Sequence, residues 1–386
     1  MVSKNKAINI LEDLVIYPKV HPQHYLIHKY WGRKPHNLIY EYVKTFTKEN
    51  DTVLDPFMGS GGVVIESNKL KRKSIGVDIN PMSVMIVNET LKKVDLTKLT
   101  NTFQKILEEL PEDIKNLQQV ERNGEVCVIE NAVWIGDKLN RVKINYKGKS
   151  IRRNAIKVDL EKNETAKKLL KKYENEVSYS TDQIMRYVKR NQKEHINELF
   201  SDRNILIAGW FLKKFENLTD KEISESLKFI FTSALPNFSK MIPGDLEKVI
   251  GKSGWQISKF WAPEIHAEKN VIISLEQRLK KYVKGKEEID KLKTKTNFKL
   301  YNKSSHNLSM IRENSVDYIF TDPPYGDSIA YLALSSFWNS WLKNSVDYDN
   351  EIIYDPFRDK KEEDYEQRLI QGFSEMSRVL KKNKYL

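Results

Sequence analysis

"TVLDPFMGSGGVVIESNKLKRKSIGVD", residues Thr52–Asp78, decides the fold. A short apolar run ends in an acid. A glycine-rich turn and a helical segment follow, then a second apolar run that also ends in an acid. Strand, turn, helix and strand in so short a span are the opening βαβ unit of an open α/β sheet. Gly59, Gly61 and Gly62 permit a tight turn and let a ligand approach backbone N–H groups. Asp78 ends the second strand, where an acid can grip both ribose hydroxyls of a nucleoside. The spacing matches neither GxGxxG nor GxxxxGK[ST], and Asp55 precedes the glycines. A carboxylate there repels a pyrophosphate and suits a cation. S-adenosylmethionine, which carries a sulfonium and an ammonium and no phosphate, meets these conditions. The alternative is a βα turn with a structural role only.

Upstream, "HKYWGRKPHNLIYEYVKTF" (His28–Phe46) opens with a basic-aromatic cluster and becomes a helix from about Pro35. Downstream, "NPMSVMIVNETLKK" starts with Asn80 and Pro81 at cap-like positions, so a helix follows the second strand. The alternation then breaks. Residues 96–296 read as mostly helical, with a small β-rich patch over Val126–Val158. Helices are expected at 164–177, 181–200, 203–218, 220–235 and 271–293, and a loop at 251–270. From residue 297 the α/β pattern returns with two strands and a helix, then a long amphipathic helix over Lys360–Asn383. The division is 1–95 for the lead-in and cofactor half, 96–296 for the insertion, and 297–386 for the catalytic half. The chain stops at "KYL", where another strand is expected to begin. That suggests a fragment, or a partner that completes the sheet.

The later half contains "YIFTDPPYGDSIAY" (Tyr318–Tyr331), again an apolar run ending in an acid. Asp322 offers a carboxylate acceptor. Pro323 has a carbonyl and no N–H, and the paired prolines Pro323 and Pro324 hold that carbonyl still. Tyr325 offers a flat face. An exocyclic amine on a base can donate one N–H to the carboxylate and the other to the Pro323 carbonyl, while Tyr325 stacks on the flipped ring. Catalysis would then rest on positioning and electrostatics. A Pro-Pro turn after an edge strand, with Asp322 as a cap, is the structural alternative.

These motifs resemble the S-adenosylmethionine-dependent DNA amino-methyltransferases with a DPPY motif, which modify adenine N6 or cytosine N4. The resemblance covers residues 24–93 and about 297–386. It implies a Rossmann-like methyltransferase sheet, open and twisted. "VLDPFMGSGGVVIE" is similar to the cofactor loop, which implies contacts from Asp55, Phe57, Gly59 and Gly61. "GVDINP" is similar to the block that supplies the ribose acid, here Asp78. "DPPY" is similar to the catalytic block, Asp322–Tyr325. "HKYWGRKPHNLI" is similar to the block that lines the methionine end of the cofactor, which implies Trp31, Lys34 and Pro35. The family often has an acid after the third strand, near the adenine. Here "YNKSS" places Ser304 and Ser305 there, so Ser305 is the cofactor candidate. The order of blocks is like the alpha group, whereas the wording "DPFMGSG" is closer to the beta group. The resemblance implies C-terminal strands that are expected to be missing from this sequence. The resemblance therefore implies an adenine-N6 enzyme of a restriction-modification or defence system. Its rivals are a cytosine-N4 enzyme, or a DNA-binding subunit inactive without a partner.

Composition agrees with these expectations. The chain has 386 residues, a net charge of +12, one cysteine and no long apolar run. A disulfide framework within the chain and a multi-cysteine zinc site are excluded. The N-terminus lacks the pattern of a secretory signal, so the cytoplasm is the expected location. The basic charge fits double-stranded DNA as partner; a Lys-rich soluble surface is the other reading. Candidate DNA contacts in the insertion are "NYKGKSIRRN", "GKSGWQISKFW" and "RLKKYVKGK", with Trp255, Phe260 and Trp261 as wedges or stacking faces. The alternative is that those aromatics are core and those lysines are solvated helix faces. His21, His24, His28 and His36 lack metal-ligand spacing, and no metal is expected.

Overall fold

The computed structural model of the chain describes residues 15–184, 193–252, 260–292 and 297–386. The first half begins with α1 (His36–Phe46), β1 (Thr52–Asp55), α2 (Gly62–Lys69), β2 (Lys73–Asp78) and α3 (Pro81–Leu91). Pro81 stands at the start of α3, and the Asn80 side chain accepts the Met82 N–H, which caps the helix. The second half contributes β10 (Phe298–Asn302), β11 (Val316–Ile319), α10 (Tyr331–Leu342), α11 (Glu362–Val379) and β12 (Leu380–Tyr385). These strands form one parallel sheet in the order β10-β2-β1-β11-β12.

Alternation along β1 sets the two faces of the sheet. Val53 pairs with Tyr318 and packs with Ile39, Val43 and Val63 of α1 and α2. Leu54 pairs with Ile319 and packs on the opposite face with Met376 and Val379 of α11. Side chains alternate across a strand, so consecutive apolar residues imply cover on both faces. After β10 the chain crosses to the far side of β1 to form β11. The strand order therefore reverses beside β1. A crevice opens at the carboxyl ends of the strands at such a point, where open α/β sheets bind ligands.

Between the halves lie α4 (Leu96–Glu108), α5 (Glu112–Lys115), β3 (Gln119–Arg122), β4 (Glu125–Ile135), β5 (Lys138–Tyr146), β6 (Lys149–Asn154), α6 (Lys157–Lys172), α7 (Asp202–Glu216), α8 (Lys221–Ala234), a two-residue ladder β7 (Gly244–Asp245) with β8 (Ile250–Gly251), β9 (Ile265–Lys269) and α9 (Val271–Leu292). The helices share one buried cluster with both halves. It runs from Ile27 and Trp31 through Met82, Phe103, Phe211 and Phe231 to Phe337, Trp338 and Trp341 of α10.

The structure corrects several local expectations. Residues 265–269, expected in a loop, form β9 along β4. β3 covers that edge of β4 only over Glu125–Val128, and β9 supplies backbone partners further along. Of the helix expected at 181–200, residues 185–192 lie outside the described residues. Its flanks are an antiparallel bridge, Gln183 to His195, and a 3₁₀ turn, Ile196–Leu199. The long final helix ends at Val379, and Leu380–Tyr385 join the edge of β11. Lys381 reaches the Asp317 carboxylate of β11 at 2.8 Å, an ion pair that a continuing helix would carry away. Phe260 is buried against Phe337 and belongs to the core, while Trp255 lies outside the described residues. Among the described residues no helix is long and apolar enough to cross a membrane. No group of three or more His, Cys, Asp or Glu among them is arranged to hold a metal.

Candidate active site

The carboxyl ends of β1, β2 and β11 open on one pocket, walled also by residues 30–34 and by Ser305, Tyr331, Leu332, Glu351 and Ile352. Asp55 ends β1 almost fully buried. Its Oδ1 accepts the Phe57 N–H at 3.1 Å and the Thr321 hydroxyl at 2.8 Å. Burial pushes its carboxyl up to about 7, against the lowering effect of those two hydrogen bonds. Thr321 precedes Asp322, so this bond ties the glycine turn to the later strand end.

Asp78 ends β2. Its Oδ2 accepts the Gly59 N–H and its Oδ1 the Asn80 N–H, each at 2.8 Å. Burial raises this carboxyl to about 6. Two backbone N–H groups and the Ser83 hydroxyl share its lone pairs, which leaves acceptor capacity for a ligand hydroxyl. Gly59 has φ +49 and stands on the pocket wall, as does Phe57. Gly61 stands off that wall. Its φ is +78, and a Cβ there would lie 2.2 Å from Val87 Cγ2 of α3. Packing of α2 on α3 requires that glycine.

The TDPPY loop after β11, residues 321–325, lies across the crevice. Asp322 Oδ2 pairs with Lys34 Nζ at 2.7 Å, and its Oδ1 accepts the Tyr325 hydroxyl at 2.5 Å. The Lys34 ammonium is held above its ordinary value by that hydrogen bond, and the Tyr325 hydroxyl is raised by the same carboxylate. Lys34 Nζ stands 5.8 Å from the Tyr325 ring centroid. The Tyr325 ring is 65% exposed and thus open to stack on a partner. The Pro324 carbonyl accepts the Tyr365 hydroxyl of α11 at 2.7 Å. Pro323 and Tyr325 flank the pocket without forming its wall, and Pro35 sits at the N-cap of α1.

Of the other expected residues, Trp31 is on the wall but buried, with its ring edge-on to Tyr331 and tilted against Trp338. Ser305 is buried on the wall, and its Oγ has no hydrogen-bond partner among the described residues. Four further groups escaped the sequence reading. Thr321 is the first letter of TDPPY, and its bond to Asp55 needs both strand ends. Arg33 donates to the Ser60 hydroxyl at 3.1 Å and to the His28 carbonyl at 2.9 Å, lacing residues 28–34 to the glycine turn. Tyr30 lies against Gly59, 3.2 Å from where its Cβ would be, and accepts the Ser83 hydroxyl at 2.7 Å. Glu351 is buried on the wall. It accepts the Leu332 N–H of α10 at 3.2 Å and pairs with Arg358 at 2.6 Å. Nothing in the acid-rich run around Glu351 marks it in the sequence. The pocket thus gathers Asp55, Asp78, Glu351 and Asp322 with Arg33 and Lys34 around one space, a set that suits a ligand bearing hydroxyls and charges of both signs.

A family model described as DNA methylase matches residues 4–89. The chain is 21% identical over 330 residues to the Type II methyltransferase M.MjaII of Methanocaldococcus jannaschii, a match covering 79% of this chain and 59% of that protein. It is 37% identical over 65 residues to the Type II methyltransferase M2.LlaDCHI of Lactococcus lactis subsp. cremoris, covering 17% of this chain and 24% of that one. It is 40% identical over 63 residues to the Type II methyltransferase M1.MboII of Moraxella bovis, covering 16% and 24%. The chain therefore spans less than two thirds of the length of each of these relatives. The glycine turn, the strand-end acids and DPPY thus meet on one pocket in a chain whose residues 4–89 are similar to the DNA methylase family model and which is similar in part to Type II methyltransferases.

Proposed function

We propose that the chain transfers the methyl group of S-adenosylmethionine to the exocyclic N6 amine of an adenine flipped out of double-stranded DNA. The observation that carries this reading is the Thr321–Asp55 hydrogen bond, which sets the acceptor Asp322 beside the pocket that contains Asp78. Asp78 would hold the ribose hydroxyls, Ser305 a polar atom of the nucleoside, and the wall around Trp31 and Lys34 the methionine end. S-adenosylmethionine supplies an electrophilic methyl group on its sulfonium. Asp322 and the Pro323 carbonyl accept the two N–H groups of the amine and aim its lone pair, and Tyr325 stacks on the base. Net charge +12 supports a polyanionic partner. The relatives' names as Type II methyltransferases support a role in restriction-modification. The reading places the chain in the cytoplasm, with a restriction subunit or sheet-completing protein as a further partner.

The test is methyl transfer from labelled cofactor to unmethylated DNA, with nucleoside analysis of the product. N6-methyladenine is expected. N4-methylcytosine would overturn the choice of base and keep the chemistry. Cofactor binding without transfer, rescued by a partner chain, would replace the enzyme by a subunit of one.

A further inference from the structure

Both oxygens of the acceptor carboxylate are already engaged within the chain. Asp322 Oδ1 accepts the Tyr325 hydroxyl and Oδ2 is paired with Lys34 Nζ. While the ammonium holds Oδ2, an approaching amine competes for that oxygen's lone pairs and meets a positive charge beside it. Lys34 also lies on the wall of the pocket that Asp78 enters, and its side chain is 45% exposed on a flexible four-carbon stem. Its neighbours are fixed. Arg33 is half-buried and anchored to Ser60 and His28, and Pro35 is the N-cap of α1. Only the end of the Lys34 side chain is free to change partner.

We propose that Lys34 is a positioning residue that exchanges carboxylates: it masks Asp322 in the free protein and moves to the α-carboxylate of the bound cofactor. This rests on the reading of the pocket as a site for S-adenosylmethionine. The exchange couples the two halves of the reaction. An anionic group entering the pocket draws the ammonium away, and Oδ2 of Asp322 becomes available to the base. Cofactor binding thereby precedes capture of the amine, and the free protein holds its acceptor closed. No covalent bond changes in this step.

Thermodynamic linkage makes the exchange measurable without turnover. Asp322 competes with the ligand carboxylate for one ammonium, so removing the competitor should tighten binding. A partly exposed ion pair of this kind corresponds to roughly two- to fivefold in affinity. Calorimetric titration with S-adenosylhomocysteine, and with its decarboxylated counterpart, reads this directly. Asp322→Asn should tighten the first by that factor and leave the second unchanged. In a Lys34→Met background the gain from Asp322→Asn should vanish, whereas Lys34→Arg should restore it. The Lys34→Met comparison matters because loss of a nearby negative charge favours any carboxylate, an effect that would survive without Lys34. Equal tightening of both ligands, no tightening, or a gain that persists in Lys34→Met would overturn the exchange and keep the pocket. Failure of the unaltered chain to bind S-adenosylhomocysteine would overturn the reading of the pocket, and the exchange with it.

Discussion

Asp55 shows how one residue makes ligand binding depend on pH. Its carboxyl titrates at about 7 because burial disfavours the charge. A bound sulfonium or ammonium favours the ionised form, so binding below pH 7 expels a proton. Affinity for a cationic nucleoside should therefore rise with pH up to about 7 and level off above it, and Asp55→Asn should flatten that profile. Calorimetry in two buffers of different ionisation enthalpy would count the proton. The same shift has the opposite sign for folding. The folded value lies above the unfolded one, so the free protein pays no penalty below pH 4. It loses stability between pH 4 and 7, by an amount on the order of a few kcal/mol. Asp55→Asn should therefore stabilise the free chain more at pH 8 than at pH 5, as read from urea midpoints. On the proposed role of Asp322 as acceptor of the amine, Asp322→Ala should lower transfer by roughly a hundredfold or more. Cofactor binding should persist, a separation visible by comparing single-turnover rates with direct titration.

At the scale of elements, the site depends on how helices meet the strand ends. Gly61 lets α2 lie against α3. Gly61→Ala should cost about 1–3 kcal/mol in unfolding free energy, because the new methyl meets Val87 in a left-handed backbone. Gly124 has a similar φ of +77 in open space, so Gly124→Ala should cost only about 1 kcal/mol. Thermal denaturation of the pair separates packing from backbone strain. Helix α11 holds the DPPY loop through the Tyr365 hydroxyl on the Pro324 carbonyl. Tyr365→Phe should reduce kcat roughly three- to tenfold and leave the cofactor dissociation constant unchanged, as expected when one positioning hydrogen bond is lost. Steady-state kinetics beside titration would check it. The glycine turn, α3 with its Asn80 cap, and the strands ending in Asp55 and Asp78 were legible because local rules determine them. The β9 strand and the end of α11 were not. Each depends on a distant strand edge that offers free backbone groups.

At the scale of the whole molecule, both halves and the helices between them share one buried cluster. Trp338 of α10 is 1% exposed and packs against His28 and Trp31 of the lead-in. Trp338→Ala should destabilise the chain by about 3–5 kcal/mol. A single cooperative transition should remain, with far-UV and near-UV circular dichroism coincident. Two separate transitions would show that the halves unfold independently.

The sequence by itself determined the opening βαβ unit, the two acids at strand ends and the DPPY loop, since each is written in contiguous residues with a local physical meaning. It also carried the likeness to amino-methyltransferases, and a family model described as DNA methylase matches residues 4–89. Only the tertiary structure decided that these pieces meet. Thr321 bonds Asp55, Lys34 covers Asp322, and Glu351 joins the wall, through contacts between residues far apart in the chain. The reason is physical. Backbone periodicity is a short-range property. The partner of a buried polar group is chosen by which strands lie side by side, and the crossing of β11 to the far side of β1 makes that choice.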